Sequence, residues 1–296
     1  MESFKGDKII YKDGAFVKAT EAGIDFFSQT IHYGFGAFEG IRSYQTLNGV
    51  KLFKVKEHFE RLRFSCQEIG LPFHWDINQL VTDTYRLLEL NDLKNAYVRP
   101  LVFAGTDMSM VASKKSQLII TAWQWDAFYG DKFLKTCISS FEKPTPNAIP
   151  IKAKITGNYI NSVMAISEAK RNGFDEAILL DVNGFITETT SANVFIEKNG
   201  KLFTPLKTNI MPGITRATVI KIAEQLDIEV EEKNITVEEF KNADSAFACG
   251  TAVEIIGIKA VDNQVYPLSF DLSLGANIQR VYRSLVLDKL SFEVII

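Results

Sequence analysis

Two Asn-Gly dipeptides constrain the fold of this chain more than any other feature. Asn183-Gly184 and Asn199-Gly200 each separate two short runs of β-forming residues, which cover residues 177–182, 185–187, 193–197 and 201–204. Asn-Gly between such runs predicts a hairpin, because both residues tolerate the positive φ angles of a two-residue turn. This part of the chain is therefore predicted to form antiparallel strands.

The rest of the chain mixes predicted strands and helices without strict alternation. Asp13-Gly14 marks a further hairpin, and Asp76 is a suitable N-cap for a helix. Apolar periodicity and helix-end signals predict other helices at 57–69, 158–171, 215–226 and 271–287. Strands are predicted at or around 51–55, 97–104, 117–125, 246–249 and 254–261, and a proline-rich loop at 143–150. This order favours an α+β fold over a doubly wound parallel sheet.

The composition is that of an ordinary globular protein of about two domains. The chain has 296 residues, 46% of them hydrophobic and 23% charged, with a net charge of −3. Without clustered positive charge, neither nucleic acid nor a membrane surface is expected as a partner. No apolar run reaches the ~18 to 20 residues of a membrane-spanning helix, and the first residues lack the apolar core of a signal peptide.

Several kinds of site are excluded by residue spacing. The three cysteines, Cys66, Cys137 and Cys249, form no disulfide framework and no metal clip, so a reducing cytoplasm is the expected location. The three histidines lack the spacing of a zinc site, and no metal is expected. There is no G-x-S-x-G elbow and no P-loop, and residues 34–40 miss the dinucleotide-binding pattern by one position.

Two segments have the chemistry of an anion site. Met211-Pro-Gly-Ile-Thr-Arg216 leads into a helix, whose first N–H groups lie at the positive end of its dipole and suit a phosphate. An ordinary helix start explains the same residues about as well. In residues 249–252 a strand ends in a Gly-Thr turn that offers further N–H and hydroxyl donors.

A nucleophile and an acid complete the candidates. Lys152 and Lys154 lie in a mostly apolar run, and a lysine that is desolvated beside positive charge loses its proton more easily. The alternative is that both are surface lysines. Glu188 lies before small polar residues and Asn193, where it could bind a protonated ring nitrogen or cap a turn.

Together these segments resemble the signature of the class IV aminotransferases. The matching positions are Glu188 and residues 193–195, 202–204 and 211–216, at the expected spacing. Further segments look like the branched-chain amino acid aminotransferases, namely residues 32–42, 57–62, 96–100, 154–159 and 250–254. The resemblance covers nearly the whole chain.

The resemblance implies an α+β, two-domain enzyme of fold type IV with a pyridoxal 5′-phosphate (PLP) cofactor between the domains. A smaller N-terminal α/β domain would cover residues 1–124, and an interdomain loop residues 125–133. A larger C-terminal domain with a pseudo-barrel of strands would cover residues 134–296 and carry the Schiff-base lysine.

It also implies the roles of the cofactor residues. Lys154 would form the Schiff base and move a proton between substrate and cofactor, and only the spacing to residues 157–159 disfavours Lys152. Glu188 would bind the pyridine nitrogen, and Tyr159 the phenolic oxygen. The phosphate would be held by Arg61, Ile214, Thr215 and Thr251.

By the same resemblance, one pocket accepts both an apolar side chain and the side chain of glutamate. The α-carboxylate would be bound by Tyr97, Thr251 and Ala252. The apolar walls would be Phe38, Tyr33 and Tyr159, and the γ-carboxylate would be bound by Arg99 and Tyr33. Ser191, Met211 and the offset pair Phe128 and Tyr129 depart from the family pattern.

The activity that this implies is reversible amino transfer between L-leucine, L-isoleucine or L-valine and 2-oxoglutarate, in branched-chain amino acid biosynthesis. Residues 108–111 resemble a loop that reaches a neighbouring subunit, so a homodimer or larger homo-oligomer is expected. The alternatives are a D-amino acid aminotransferase or an aminodeoxychorismate lyase, both of which resemble residues 96–100 poorly. A non-catalytic binding protein is disfavoured because Lys154, Glu188, Tyr159 and Arg61 are all present.

Overall fold

The computed structural model describes residues 8–125 and 132–289. The chain divides into two units, the first of Met1–Asp126 and Lys152–Asn158, the second of Ala127–Ile151 and Tyr159–Ile296. The segment that carries Lys154 therefore belongs to the first unit. Most of the predicted interdomain loop, with Phe128 and Tyr129, lies outside the described residues, and the predicted domain boundaries stay a prediction.

The first unit is an antiparallel sheet with helices packed on it. Its elements are β1 (Ile9–Lys12), β2 (Ala15–Lys18), α1 (Gln29–Tyr33), β3 (Gly36–Phe38), β4 (Ile41–Thr46), β5 (Gly49–Leu52), α2 (Val55–Glu68), α3 (Ile77–Leu90), β6 (Ala96–Ala104) and β7 (Ser116–Gln124). The strand order is β2-β1-β7-β6-β4-β5, and β3 also pairs with β6. Apolar residues of α2 and α3, such as Phe59, Leu62 and Leu87, form one core with the strands.

The second unit contains a closed barrel of strands. Its elements are β8 (Leu134–Glu142), α4 (Tyr159–Arg171), β9 (Glu176–Leu180), β10 (Ile186–Thr189), β11 (Asn193–Lys198), β12 (Lys201–Thr204), α5 (Ile214–Gln225), β13 (Val230–Glu232), α6 (Val237–Lys241), β14 (Ser245–Gly250), β15 (Glu254–Val261), β16 (Gln264–Val265) and α7 (Leu274–Val286). The strands follow the order β10-β9-β8-β15-β14-β11, and β10 pairs again with β11 through Glu188 and Asn193. This pairing closes a barrel of six strands.

The α+β prediction and its pseudo-barrel are confirmed. All three predicted hairpins form, as the antiparallel pairs β1–β2, β9–β10 and β11–β12. Asp76 caps α3, since its carboxylate accepts the N–H of Gln79 at 2.8 Å. Within residues 8–125 and 132–289, each helix is too short or too polar to cross a membrane.

Five of the described strands were not predicted, namely β3, β4, β8, β13 and β16. The glycines of residues 34–40 suggested only a near miss to a nucleotide motif, whereas β3 lies there. The strand β8 was missed because polar residues interrupt its apolar pattern. Those side chains are bonded inside the unit, with Thr136 Oγ1 donating to the Ala260 carbonyl at 3.0 Å and Ser139 Oγ to Glu168 at 2.8 Å.

Candidate active site

The main chain at Lys154 is held by two elements of the first unit. Its N–H donates to Ser65 Oγ on α2 at 2.8 Å, and its carbonyl accepts the N–H of Phe38 in β3 at 3.0 Å. The next residue, Ile155, forms a β-bridge with Ala37. These bonds determine where the Lys154 side chain begins.

The amine of Lys154 lies in a desolvated environment. Burial lowers the pKa of Lys154 to about 8, a shift that the charge of Glu39 opposes and that of Arg61 supports. Its Nζ is 4.8 Å from the centroid of the Phe38 ring, whereas Lys152 is exposed. Because only a neutral amine is nucleophilic, this environment favours Lys154 over Lys152 as the reactive lysine.

A buried carboxylate, Glu39, acts on Lys154 by its charge and is bonded to Arg61 and His58. Its Oε1 accepts Arg61 Nε at 2.6 Å, and its Oε2 accepts Arg61 Nη2 at 2.9 Å and His58 Nδ1 at 2.7 Å. Burial alone would raise the pKa of Glu39, but the charge of Arg61 and these hydrogen bonds lower it well below its ordinary value. One edge of the predicted phosphate-binding guanidinium is therefore fixed by an ionised carboxylate.

His58 completes this network as a neutral donor. Burial lowers the pKa of His58 and outweighs the opposing charge of Glu39, so the ring is neutral at pH 7. Its Nδ1 carries the hydrogen and donates it in the hydrogen bond to Glu39. The sequence predictions assigned no role to Glu39 or His58. The available signal was the spacing of His58 and Arg61, three residues apart and so on one face of α2.

Three of the predicted substrate residues lie together. Arg99 Cζ is 4.6 Å from the ring centroid of Phe38 and 5.3 Å from that of Tyr97, and its Nη2 donates to Tyr97 Oη at 3.4 Å. Arg99 Nε is buried and has no hydrogen-bond partner within the described ranges. A partly buried guanidinium whose buried Nε–H is unsatisfied suits an anionic ligand.

Two tryptophans that the sequence predictions did not include support Tyr97. Trp123 and Trp125 pack on its ring with centroid distances of 5.3 Å and 5.1 Å. The predicted wall residue Tyr33 is more open, with 47% of its surface exposed, and its hydroxyl donates to the Met108 carbonyl at 3.4 Å. It therefore lies beside the predicted intersubunit loop.

In the second unit, the buried Glu188 is held by three donors. Asn193 Nδ2 donates to its Oε2 at 3.0 Å, and the N–H of Met211 is 3.2 Å from Oε2 and 3.3 Å from Oε1. Asn193 Nδ2 also donates to the Met211 carbonyl at 3.0 Å. The third donor is the ammonium group of Lys143, which forms an ion pair with Oε1 and which the sequence predictions missed.

The predicted phosphate residues Ile214 and Thr215 form the first turn of α5. The N-cap is Gly213, which has no side chain to bond the first N–H groups of the helix, and these groups have no partner inside a helix. A Cβ at Gly213 would collide with Asn193 Oδ1, so a larger residue here would displace the Asn193 side chain. Such a helix start suits an anion.

The other predicted residues of the second unit lie at the ends of two elements or in a turn. Tyr159 begins α4, while Thr251 and Ala252 follow β14, and all three are partly buried. Ser191 is exposed, and its N–H donates to Thr189 Oγ1 at 3.2 Å.

Comparisons with known proteins agree with this arrangement. Residues 36–261 match the family described as Amino-transferase class IV. A branched-chain-amino-acid aminotransferase of Salmonella typhimurium is 39% identical over 271 residues, which cover 88% of this chain and 87% of that protein.

Solved structures agree as well. A branched-chain aminotransferase from Thermoproteus uzoniensis, solved with norvaline, has a TM-score of 0.92 and 34% identity over 97% of both chains. A branched-chain amino acid aminotransferase from Thermobaculum terrenum, solved in its PLP form, has a TM-score of 0.89 and 30% identity over 98% of this chain and 96% of that chain. A family match over most of the chain, a relative of this identity and a shared fold lead to one conclusion: this protein belongs to the class IV aminotransferases.

Proposed function

We propose that this protein is a branched-chain amino acid aminotransferase that uses PLP. It transfers the amino group reversibly between L-leucine, L-isoleucine or L-valine and 2-oxoglutarate. The observation that carries the proposal is the desolvated Lys154, with a pKa of about 8, in the same unit as the guanidinium groups of Arg61 and Arg99. PLP supplies an electron sink for bond breaking at the amino acid Cα, and the protein supplies orientation and charge.

The residues fit this cofactor. Lys154 holds it covalently and, when released, carries the proton between the substrate Cα and the cofactor. Arg61 binds the phosphate, supported by the carboxylate of Glu39. Ile214 and Thr215 offer their N–H groups at the start of α5, and Thr251 adds a hydroxyl.

Two residues bind the ring of the cofactor. Glu188 accepts a hydrogen bond from the ring nitrogen and keeps it protonated, which suits a carboxylate held in place by Asn193 and Met211. Tyr159 donates to the phenolic oxygen.

Substrate binding uses Arg99 with its neighbours Phe38 and Tyr97. Tyr97, Thr251 and Ala252 bind the α-carboxylate, and Phe38, Tyr33 and Tyr159 form apolar walls. Arg99 binds the γ-carboxylate of glutamate together with Tyr33, and its unsatisfied Nε supports this role. The ring of Phe38 beneath the guanidinium lets one pocket accept both an apolar and a charged side chain.

The protein acts as a homodimer or larger homo-oligomer in the cytoplasm, in branched-chain amino acid biosynthesis, without nucleic acid or membrane partners. An exposed apolar surface supports self-association. We call it the 26–33/108–111 patch, after Phe26, Phe27, Ile31, Met110 and Val111, which are 50% to 86% exposed. Its two segments are joined by bonds such as Asp107 N–H to the Phe27 carbonyl at 2.9 Å. Monomers rarely expose continuous apolar patches of this kind.

Visible absorption of the purified protein tests the function. Addition of L-leucine should convert the absorbance of lysine-bound PLP into that of the amine form, and 2-oxoglutarate should restore it. A response to D-alanine and none to L-leucine would favour the D-amino acid enzyme, and a colourless protein that binds no PLP would favour a binding protein. Borohydride reduction and peptide mass spectrometry should locate the cofactor on Lys154.

A further inference from the structure

The ion pair between Lys143 and Glu188 has no role in the reaction described above. The two side chains are only 12% and 6% exposed, so water screens the pair weakly. Lys143 is the first residue after β8, and Glu188 is in β10 at the closure of the barrel. Such a pair is more than a surface contact, because each of its charges is costly to bury alone.

Lys143 is held so that its side chain reaches Glu188. Its N–H donates to the Leu180 carbonyl in β9 at 2.8 Å, and Pro144 restricts its backbone to extended conformations. Glu188 also accepts hydrogen bonds from Asn193 in β11 and from Met211, which precedes α5. Among the three donors to Glu188, only Lys143 carries a charge.

We propose that Lys143 is a positioning residue that acts through Glu188: it holds Glu188 as an oriented carboxylate, so that the proton between Glu188 and the ring nitrogen of PLP stays on the nitrogen. This inference rests on the proposed function. An ammonium group in contact with a carboxylate favours the ionised form of that carboxylate. With the proton on the ring, the cofactor is the stronger electron sink.

The test compares Lys143→Met and Lys143→Arg in the holoenzyme, with Lys207→Met as the matched control. Lys207 is a lysine of the same unit that is 61% exposed and pairs with Glu232 at 3.3 Å. The readout is the ¹⁵N NMR shift of PLP labelled at the ring nitrogen, which reports the proton directly. Lys143→Met should move the signal toward unprotonated pyridine, whereas the other two variants should keep the pyridinium signal.

Kinetics and stability give independent readouts. In Lys143→Met, kcat with L-leucine should fall about tenfold, while KM changes less than twofold. In the apoenzyme, Lys143→Met should lower the urea midpoint at pH 7, and the further change Glu188→Gln should restore part of it.

The outcomes separate this inference from the proposed function. If the wild type takes up PLP on Lys154 but Lys143→Met keeps the pyridinium signal and kcat, the role of Lys143 is wrong and the proposed function stands. If the wild type takes up no PLP, the proposed function fails and this inference fails with it.

Discussion

At the scale of single residues, the Lys154 amine determines when the enzyme can capture its cofactor. Burial lowers the pKa of Lys154 to about 8, and only the neutral amine attacks an aldehyde. The rate of PLP capture by the apoenzyme should therefore rise about tenfold per pH unit below that pKa and level off above it. Stopped-flow absorbance measures the profile, and a midpoint at the ordinary lysine value of 10.5 would contradict the desolvated environment. Lys154→Ala should show no capture, and Lys152→Ala the normal profile.

The charge of Glu39 opposes the effect of burial on the pKa of Lys154. This charge raises the pKa of Lys154, so Glu39→Gln should shift the midpoint of PLP capture to a lower pH. The same change removes the buried carboxylate that binds Arg61, which should cost about 3 kcal/mol of unfolding free energy. Urea denaturation of the apoenzyme measures this cost.

The control for Glu39 is Glu60→Gln on α2, the helix that carries Arg61, where the exposed Glu60 pairs with Arg63. This variant should keep both the midpoint and the stability of the wild type, because exposed ion pairs contribute little. If Glu39→Gln behaves like Glu60→Gln, the buried network does not set the charge around Lys154.

At the scale of elements, two glycines allow the segment of Lys154 to approach the end of α1. Gly34 has a φ of +67°, and a Cβ there would lie 2.7 Å from Gly157 Cα. The N–H of Gly157 donates to the Gly34 carbonyl at 2.8 Å. Gly34→Ala should therefore lower the unfolding free energy by about 3 kcal/mol and weaken PLP retention, as seen by dialysis and absorbance.

Gly14→Ala separates the two causes of that loss, which are the positive φ angle and the close approach to Gly157. Gly14 has a φ of +97° but no atom within 4 Å of the Cβ position, so alanine there meets only the backbone penalty of about 1 kcal/mol. Equal losses for the two variants would show that the close approach to Gly157 contributes nothing.

Local signals explain which elements the sequence predicts. The hairpin turns and the Asp76 cap depend on neighbouring residues, and they were predicted correctly. The strand β8 was not, because its buried hydroxyls are satisfied by partners far along the chain. The pairs Glu39–Arg61 and Lys143–Glu188 were missed for the same reason, as they join residues 22 and 45 positions apart.

At the scale of the whole molecule, the 26–33/108–111 patch makes the assembly testable. Its most exposed member, Met110, is 86% exposed, and the segment is held in place by Gln29 Nε2, which donates to the Ser109 and Val111 carbonyls at 2.7 Å and 2.6 Å. Because this segment is fixed and presents apolar side chains to water, covering it with a second copy of the chain lowers the free energy.

A charge in this patch should dissociate the oligomer. Met110→Asp buries a carboxylate wherever the patch is covered, so the dimer dissociation constant should rise at least a hundredfold, which corresponds to about 2.7 kcal/mol. Sedimentation equilibrium measures this change. Leu47→Asp is the control, because Leu47 is 90% exposed in the turn between β4 and β5. If both variants keep the wild-type mass, the oligomer forms through another surface; if Leu47→Asp alone dissociates, the turn and not the patch is the interface.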